Sequence, residues 1–157
     1  MSVDDNLARA GVTLPTAAAP VANYVPAVIA GSQLVISGQL CFEAPGQINP
    51  AHRGKLGAGV SLEQGQAAAR LCAINLLAQA KTALGGDLSR VVRVVRLGGF
   101  INSTADFQSL PQVMNGASDL MVAAFGDAGR HARTTVGVAQ LPMDCAVEVD
   151  AIFEIAQ

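Results

Sequence analysis

The chain has 157 residues, a formal net charge of −2 at pH 7 and 51% hydrophobic residues. One domain is expected at this length, which is sufficient to form a core without disulfides or metal, and the composition excludes disorder. Charged residues make up only 14% of the chain, against about 25% in typical domains, so we expect other subunits to cover part of the surface. The negative charge and only two lysines, Lys55 and Lys81, make nucleic acid an unexpected partner.

The cysteines and the apolar segments indicate the compartment. Cys41, Cys72 and Cys145 are far apart in the sequence and show no metal-binding spacing, which predicts free thiols in a reducing compartment. The N-terminus has two acidic residues before its first arginine and does not resemble a secretion signal. Prolines interrupt the apolar stretch 14–36, so it does not predict a membrane helix. We therefore expect a cytoplasmic protein without membrane contact, bound metal or cofactor.

The first half of the chain predicts a hairpin followed by a long helix. Residues 1–20 form an N-terminal lead-in, and β-branched runs at Val25–Ile29 and Gln33–Gln39 predict two paired strands. The glycine-rich segment 43–60 predicts a long loop. Ser61 begins a helix with Gln64 at the capping-box spacing. That helix runs to Leu84, with a predicted apolar face comprising Ala67, Leu71, Ile74 and Ala78.

The second half adds a strand, a helix and two more strands. Val91–Phe100 is strand-like, and Pro111 suits the first turn of a second helix. One face of that helix is apolar: Val113, Ala117, Leu120, Met121 and Ala124. Arg133–Ala139 and Ala146–Ile155 predict the final strands.

The resulting order, β-β-α-β-α-β-β, predicts an α+β domain with a mixed sheet and two helices on one face. The other face of the sheet has no predicted helix to cover it, and this predicts oligomerisation.

Three acidic residues share one face of the last predicted strand. Side chains alternate along a strand, so Glu148, Asp150 and Glu154 point to the same side. This pattern is typical of a solvated outer face. The alternative is that one carboxylate faces a cavity and meets a cation.

Arg133 is the candidate cation, because it begins the strand that we expect beside this one, with Thr135 and Gly137 on the same face. Its planar guanidinium suits bidentate binding of a carboxylate, although a structural arginine–glutamate pair is equally consistent with the sequence. A lone histidine such as His131, near a helix end, is more typical of a surface or capping group than of a catalyst. Tyr24, two residues before Pro26, is more typical of a packing residue.

Four segments together resemble the RidA (YjgF) family. They are ANYVPAV at residues 22–28, LVISGQL at 34–40, HARTTVGVAQLP at 131–142 and AVEVDAIFE at 146–154. The resemblance covers nearly the whole chain from about residue 20, which divides the chain into the lead-in and a domain at 21–157. It implies a chorismate-mutase-like fold and a homotrimer with ligand sites in clefts between subunits.

The implied activity is hydrolysis of reactive enamines and imines, such as 2-aminoacrylate, to 2-keto acids and ammonia, without a cofactor. By position, Arg133 would bind the substrate carboxylate, and Glu148 would orient or activate the attacking water. Tyr24, Ser37 and Gly38 match positions that line the family's pocket. We also assign Thr135 and His131 to the ligand-binding set, although many members have cysteine at the first position and typically have proline at the second.

Two other functions remain open from the sequence. A non-catalytic regulator that binds a small keto or amino acid would use the same Arg133 but would not need Glu148. An endoribonuclease is the third possibility, because this label is often attached to the family. The sequence does not identify the ligand.

Overall fold

The computed structural model describes residues 1–20 and 22–157. The elements in chain order are α1 (Val3–Arg9), β1 (Ala27–Ala30), β2 (Gln33–Leu40), β3 (Lys55–Leu56), β4 (Gly59–Val60), α2 (Leu62–Ala83), β5 (Val91–Asn102), α3 (Leu110–Phe125), β6 (Ala132–Val138) and β7 (Val147–Ile155). The predicted α+β class is confirmed, and so are the β1–β2 hairpin and the strands that follow each long helix. The predicted loop at 43–60 carries the short β3–β4 pair near its end.

Five strands form one mixed sheet in the order β1-β2-β7-β5-β6. β5 and β6 run parallel, and the other neighbouring pairs are antiparallel. The crossover through α3 places β6 parallel to β5 at the edge of the sheet. Strand β5 consequently lies between β6 and β7. The expectation that Arg133 begins the strand beside that of Glu148 is wrong.

Helix α2 begins where the capping box predicts. The Gln64 N–H donates to Ser61 Oγ at 3.1 Å, and the Ser61 N–H donates to Gln64 Oε1 at 2.8 Å. The predicted apolar face is only partly correct, because Ala67 is exposed and Leu71 and Ile74 are half-buried. An alanine-rich helix is apolar on most sides, so its periodicity does not select one face. The buried face instead combines small residues, including Ala68, Ala69, Cys72 and Ala73, with the large side chain of Leu76.

Helix α3 buries the predicted residues, and all five members of its apolar face are fully inaccessible to solvent. Gly116 lies on this helix where it crosses α2, and a Cβ there would overlap the backbone carbonyl of Gln66. The absence of a side chain lets the two helices approach closely, which fixes α3 against the rest of the fold.

A third helix, α1, was not predicted, so three helices rather than two belong to the helical layer. Ser2 and Asp5 form a capping box, and the Asn6 side chain donates to the Ala124 carbonyl at 2.9 Å. Leu7 and Val12 are buried in the same core as the sheet and the long helices. Seven residues give too short a periodic pattern to identify a helix from sequence, and packing against α3 supplies the stability that the segment alone lacks.

The sheet face opposite the helices carries exposed apolar side chains. Val28 is 50% exposed, Val35 is 38% exposed and Val136 is 41% exposed. The register places Ile152 beside Val35 and Phe100 beside Val136 on this face. In the described part of the chain, no helix is long and apolar enough to cross a membrane.

Candidate functional site

A cleft of about 260 Å³ contains three of the seven residues predicted for the site, namely Tyr24, Gly38 and Glu148. The chain from Ala18 to Pro20 forms one side of the cleft, and Phe42 and Met143 add apolar surface. The lining is mostly apolar with one carboxyl group, as is typical of pockets that bind small molecules.

The Glu148 carboxyl group lies directly over Gly38. A Cβ built on Gly38 would stand 2.6 Å from Glu148 Oε1, so any side chain at this position would displace the carboxylate. The pairing of β2 with β7 shifts register between Ile36 and Gln39, and Gly38 lies in this irregularity. The bulge and the missing side chain together make the space that Glu148 occupies.

The environment of Glu148 favours its neutral form. The carboxyl group is half-buried, and burial raises its pKa, with a further increase from the negative charge of Asp150 on the same face of β7. Asp150 in turn lies 3.8 Å from the Arg96 guanidinium. A carboxyl group whose pKa is raised above its ordinary value is a stronger base when ionised, which suits it to accept a proton from water and return it.

Ser37 supports the cleft without lining it. Its hydroxyl donates to the Val25 carbonyl at 2.8 Å, and its N–H donates to the Pro26 carbonyl at 2.9 Å. These bonds attach the segment that carries Tyr24 to β2. The Tyr24 side chain is 49% exposed at the cleft mouth.

Arg133 lies on the opposite face of the sheet from Glu148. It pairs with Leu97, which pairs with Ala151, and the side chains of Leu97 and Ala151 are buried under the helices. Glu148 is offset from Ala151 by three residues along β7 and therefore points the other way. The alternative of a structural Arg133–Glu148 pair within one chain is wrong.

Residues of α3 hold the Arg133 guanidinium in place. Its Nη1 donates to Asn115 Oδ1 at 3.0 Å and to Ser118 Oγ at 3.1 Å, and its Nη2 donates to the Pro111 carbonyl at 3.3 Å. A guanidinium has five N–H donors, so two remain without a partner among the described residues. Helix α3 thus holds the Arg133 guanidinium in place through three hydrogen bonds, and the two remaining N–H donors are available to bind a carboxylate.

His131 and Thr135 lie on the same side as Arg133. His131 and Arg133 line a shallow depression of about 250 Å³ together with Ser118, Asp119, Val122 and Arg130. The His131 ring contacts Ser118 Oγ at 2.9 Å and the Gly129 carbonyl at 2.6 Å. The Thr135 hydroxyl is buried without a hydrogen-bond partner within the described residues.

The structure therefore divides the predicted residues into two groups. Tyr24, Gly38 and Glu148 line the cleft, whereas His131 and Arg133 line the depression on the helix side. Asn115 and Ser118 were not predicted, because only the crossover of α3 onto β6 brings them to Arg133. Their one signal in the sequence is a polar pair, three residues apart, on a helix whose other residues are mostly apolar.

The three cysteines, separate in the sequence, meet beneath the sheet. The thiols donate to backbone carbonyls, Cys41 Sγ to that of His52 and both Cys72 Sγ and Cys145 Sγ to that of Val147, and all three are fully buried free thiols. Burial raises the pKa of Cys72, and the Cys41 thiol together with burial raises that of Cys145. Among the described residues, no group of three or more His, Cys, Asp or Glu is arranged to hold a metal ion.

Comparison with known proteins gives one consistent family. The family model described as "YjgF/chorismate_mutase-like, putative endoribonuclease" matches residues 4–155. Protein TCP17 of Trypanosoma cruzi is 51% identical over 151 residues, which cover 96% of this chain and 92% of that protein.

Two solved structures show the range of similarity. A protein of unknown function from Agrobacterium tumefaciens is 47% identical, with a TM-score of 0.91 over 98% of this chain and 92% of that one. RidA from an Antarctic Psychrobacter is 26% identical, with a TM-score of 0.58 over 92% of this chain and 98% of that one. The fold agrees more closely with the Agrobacterium protein than with RidA, and the family match extends over nearly every element described above. The chain belongs to the RidA (YjgF) family of chorismate-mutase-like proteins.

Proposed function

We propose that this protein hydrolyses small carboxylate-bearing imines and enamines, of the 2-aminoacrylate type, to 2-keto acids and ammonia. We further propose that it works as a homotrimer with active sites between subunits. One observation carries the proposal: an open arginine clamp and a proton-accepting carboxyl group lie on opposite faces of the same sheet.

The chemistry needs few groups. The substrate carboxylate binds the free N–H donors of Arg133, which fixes the imine carbon relative to the site. Glu148 accepts a proton from water as the water oxygen attacks the electrophilic imine carbon. The resulting tetrahedral carbinolamine takes a proton on nitrogen, its C–N bond breaks, and ammonia and the keto acid leave. An enamine first takes a proton on carbon and becomes the imine.

The requirement for a second subunit follows from the placement of the two groups. Arg133 points to the helix side of the edge strand β6, and Glu148 points to the uncovered face of the sheet. If the uncovered sheet face of a second subunit packs against strand β6 of the first, Glu148 of the second subunit approaches Arg133 of the first. The exposed apolar side chains of Val28, Val35 and Val136 on that face support its burial against another subunit.

The cysteines bear on the compartment in which the protein works. Three reduced thiols support a reducing compartment such as the cytoplasm.

Two alternative functions remain beside the proposed hydrolysis. A regulator that binds the same carboxylate without turnover would use Arg133 alone. The family description keeps an endoribonuclease as a second candidate, against which stand the net charge of −2 and the two lysines.

The test compares these activities on one preparation. Imines are generated in the cuvette by an amino acid oxidase, and keto acid formation is followed with and without the protein. RNA cleavage is measured in parallel. We expect acceleration of imine hydrolysis, a loss of about 100-fold or more in Glu148→Gln, and no loss in Glu154→Gln, a control on the same strand and face. Ligand binding without turnover would favour the regulator, and RNA cleavage that follows the protein through purification would favour the ribonuclease.

The assembly has its own test. Light scattering is expected to give a mass near three times 16.0 kDa. A monomer at micromolar concentration would remove the basis for a site between subunits.

A further inference from the structure

Ser118 and His131 form a hydrogen-bonded pair that takes no part in the bond-breaking and proton-transfer steps proposed for imine hydrolysis. Ser118 lies in the middle of α3, and His131 immediately precedes β6. Ser118 Oγ lies 2.9 Å from His131 Nε2, and His131 Nδ1 lies 2.6 Å from the Gly129 carbonyl oxygen. A carbonyl oxygen only accepts hydrogen bonds, so Nδ1 carries the proton of the neutral ring. Nε2 is then an acceptor, and the Ser118 hydroxyl donates to it.

Close packing holds the pair in this arrangement. The Gly129 backbone lies against α3, and a Cβ at this residue would overlap the Met121 carbonyl. The carbonyl that orients His131 is therefore fixed to the same helix that carries Ser118. Gly116, two residues before Ser118, fixes that helix against α2 in the same way.

The charges around the pair favour a base and an ionisable hydroxyl. Burial lowers the pKa of His131, and the Arg133 charge lowers it further, against an opposing effect of the Gly129 hydrogen bond. The ring is therefore neutral at pH 7 and able to accept a proton. Arg133 Nη1 donates to Ser118 Oγ at 3.1 Å, which stabilises negative charge on that oxygen. A hydroxyl, a base within hydrogen-bonding distance and a group that orients the base together define an activated nucleophile.

We propose that Ser118, activated by His131, is the nucleophile of a second, acyl-transfer activity that hydrolyses small carboxylic esters. The dyad opens into the depression of about 250 Å³ that Arg130 and Arg133 also line. The two guanidinium groups outweigh the one carboxylate of the depression, that of Asp119, and favour an acyl group that bears its own carboxylate, such as a succinyl ester. Arg130 binds this carboxylate, which leaves the free donors of Arg133 for the ester carbonyl. This activity does not depend on imine hydrolysis, because its nucleophile and base come from one chain and do not involve Glu148.

The reaction balances with the residues present and water. Ser118 Oγ attacks the ester carbonyl carbon, a C–O bond forms, and the hydroxyl proton moves to His131 Nε2. The free donors of Arg133 stabilise the oxyanion. The bond to the leaving alkoxide then breaks, and His131 returns the proton to it. Water, deprotonated by His131, attacks the acyl-serine, and the carboxylate product leaves as Ser118 regains its proton.

The first experiment labels the full-length protein with a fluorophosphonate probe and maps the adduct by mass spectrometry. We expect one adduct per chain on Ser118. No adduct should form in Ser118→Ala, whereas Ser109→Ala should be labelled like the unmodified protein, since this serine begins the same helix and makes no side-chain capping bond. His131→Asn and His131→Gln are expected to slow labelling by about 100-fold or more.

The second experiment measures p-nitrophenol release from the acetyl and succinyl esters. We expect the succinyl ester to react faster, with an initial burst equal to the number of chains. Absence of labelling in the unmodified protein, or labelling that persists in Ser118→Ala, would overturn the proposal. Imine hydrolysis measured on the same preparations distinguishes failure of this dyad from failure of the first activity.

Discussion

Replacing Arg133 by lysine keeps the positive charge of the site but removes the planar guanidinium. In the structure, three hydrogen bonds to α3 leave two N–H donors of Arg133 for a substrate carboxylate. Lysine can supply one strong hydrogen bond where arginine supplies two in a fixed geometry. Loss of one charge-assisted bond costs about 1.5–3 kcal/mol, so kcat/KM for imine hydrolysis should fall by roughly 10–150-fold. Arg133→Ala should cost more.

The same change should affect folding only modestly. Asn115 and Pro111 are solvent-exposed, and Ser118 keeps its bond to His131 after Arg133 is removed. No buried group is left unpaired, so Arg133→Ala should cost about 1–2 kcal/mol in the free energy of unfolding. For a chain of this length, that corresponds to a fall in Tm of about 2–8 °C.

Scanning calorimetry and imine hydrolysis on the same two variants provide the assay. Arg9→Lys, in the N-terminal helix α1, is the control for a charge-preserving change elsewhere. Undiminished hydrolysis in stable Arg133→Ala would refute the carboxylate clamp. A collapse in Tm would refute the argument that the contacts of Arg133 are replaceable, and would make this residue part of the scaffold.

Three further predictions follow from the cleft and the core. Gly38→Ala places a Cβ 2.6 Å from Glu148 Oε1 and should displace the carboxylate. We expect kcat to fall by about tenfold or more with little change in KM. An unchanged kcat would mean that Glu148 takes no part in the reaction. Asp150 raises the pKa of Glu148, and hydrolysis requires the ionised form of that residue. The rate should therefore fall as pH drops through this raised pKa, and Asp150→Asn should move the fall to lower pH; a pH profile that does not move would contradict the assignment. The three cysteines should react with a thiol reagent only after unfolding, because they are fully buried, and rapid modification of the native protein would contradict this placement of Cys41, Cys72 and Cys145.

The sequence predicts those elements whose signals are local. The capping box at Ser61 and Gln64 marks the start of α2, and the apolar face of α3 is clear because the polar residues Asn115, Ser118 and Asp119 fall outside it. The α2 face is less well predicted, since Ala67 and Ala68 are chemically identical and only packing against the sheet distinguishes them. Helix α1 is missed because seven residues depend on α3 for their stability.

The sequence identifies individual candidate residues of the site, but it does not predict how these residues are placed relative to one another. Alternation along β7 correctly places Glu148 and Asp150 on one face. The order of strands depends on long-range pairing, so the sequence alone does not show that β5 separates Arg133 from Glu148. The pairing of Ser118 with His131 is hidden for the same reason, since the two residues meet only after the turn at Gly129 packs on α3.

The most direct test of a shared active site mixes two inactive variants. Arg133→Ala and Glu148→Gln subunits are co-expressed with different tags, and mixed oligomers are purified through both tags and assayed for imine hydrolysis. If each site takes Arg133 from one subunit and Glu148 from the next around a trimer, every mixed trimer restores both residues in one of its three sites, or about a third of the sites. We predict recovery of about that fraction of the activity of the unmodified protein. Mixed oligomers as inactive as either parent would contradict the account, because a site within one chain gains nothing from mixing.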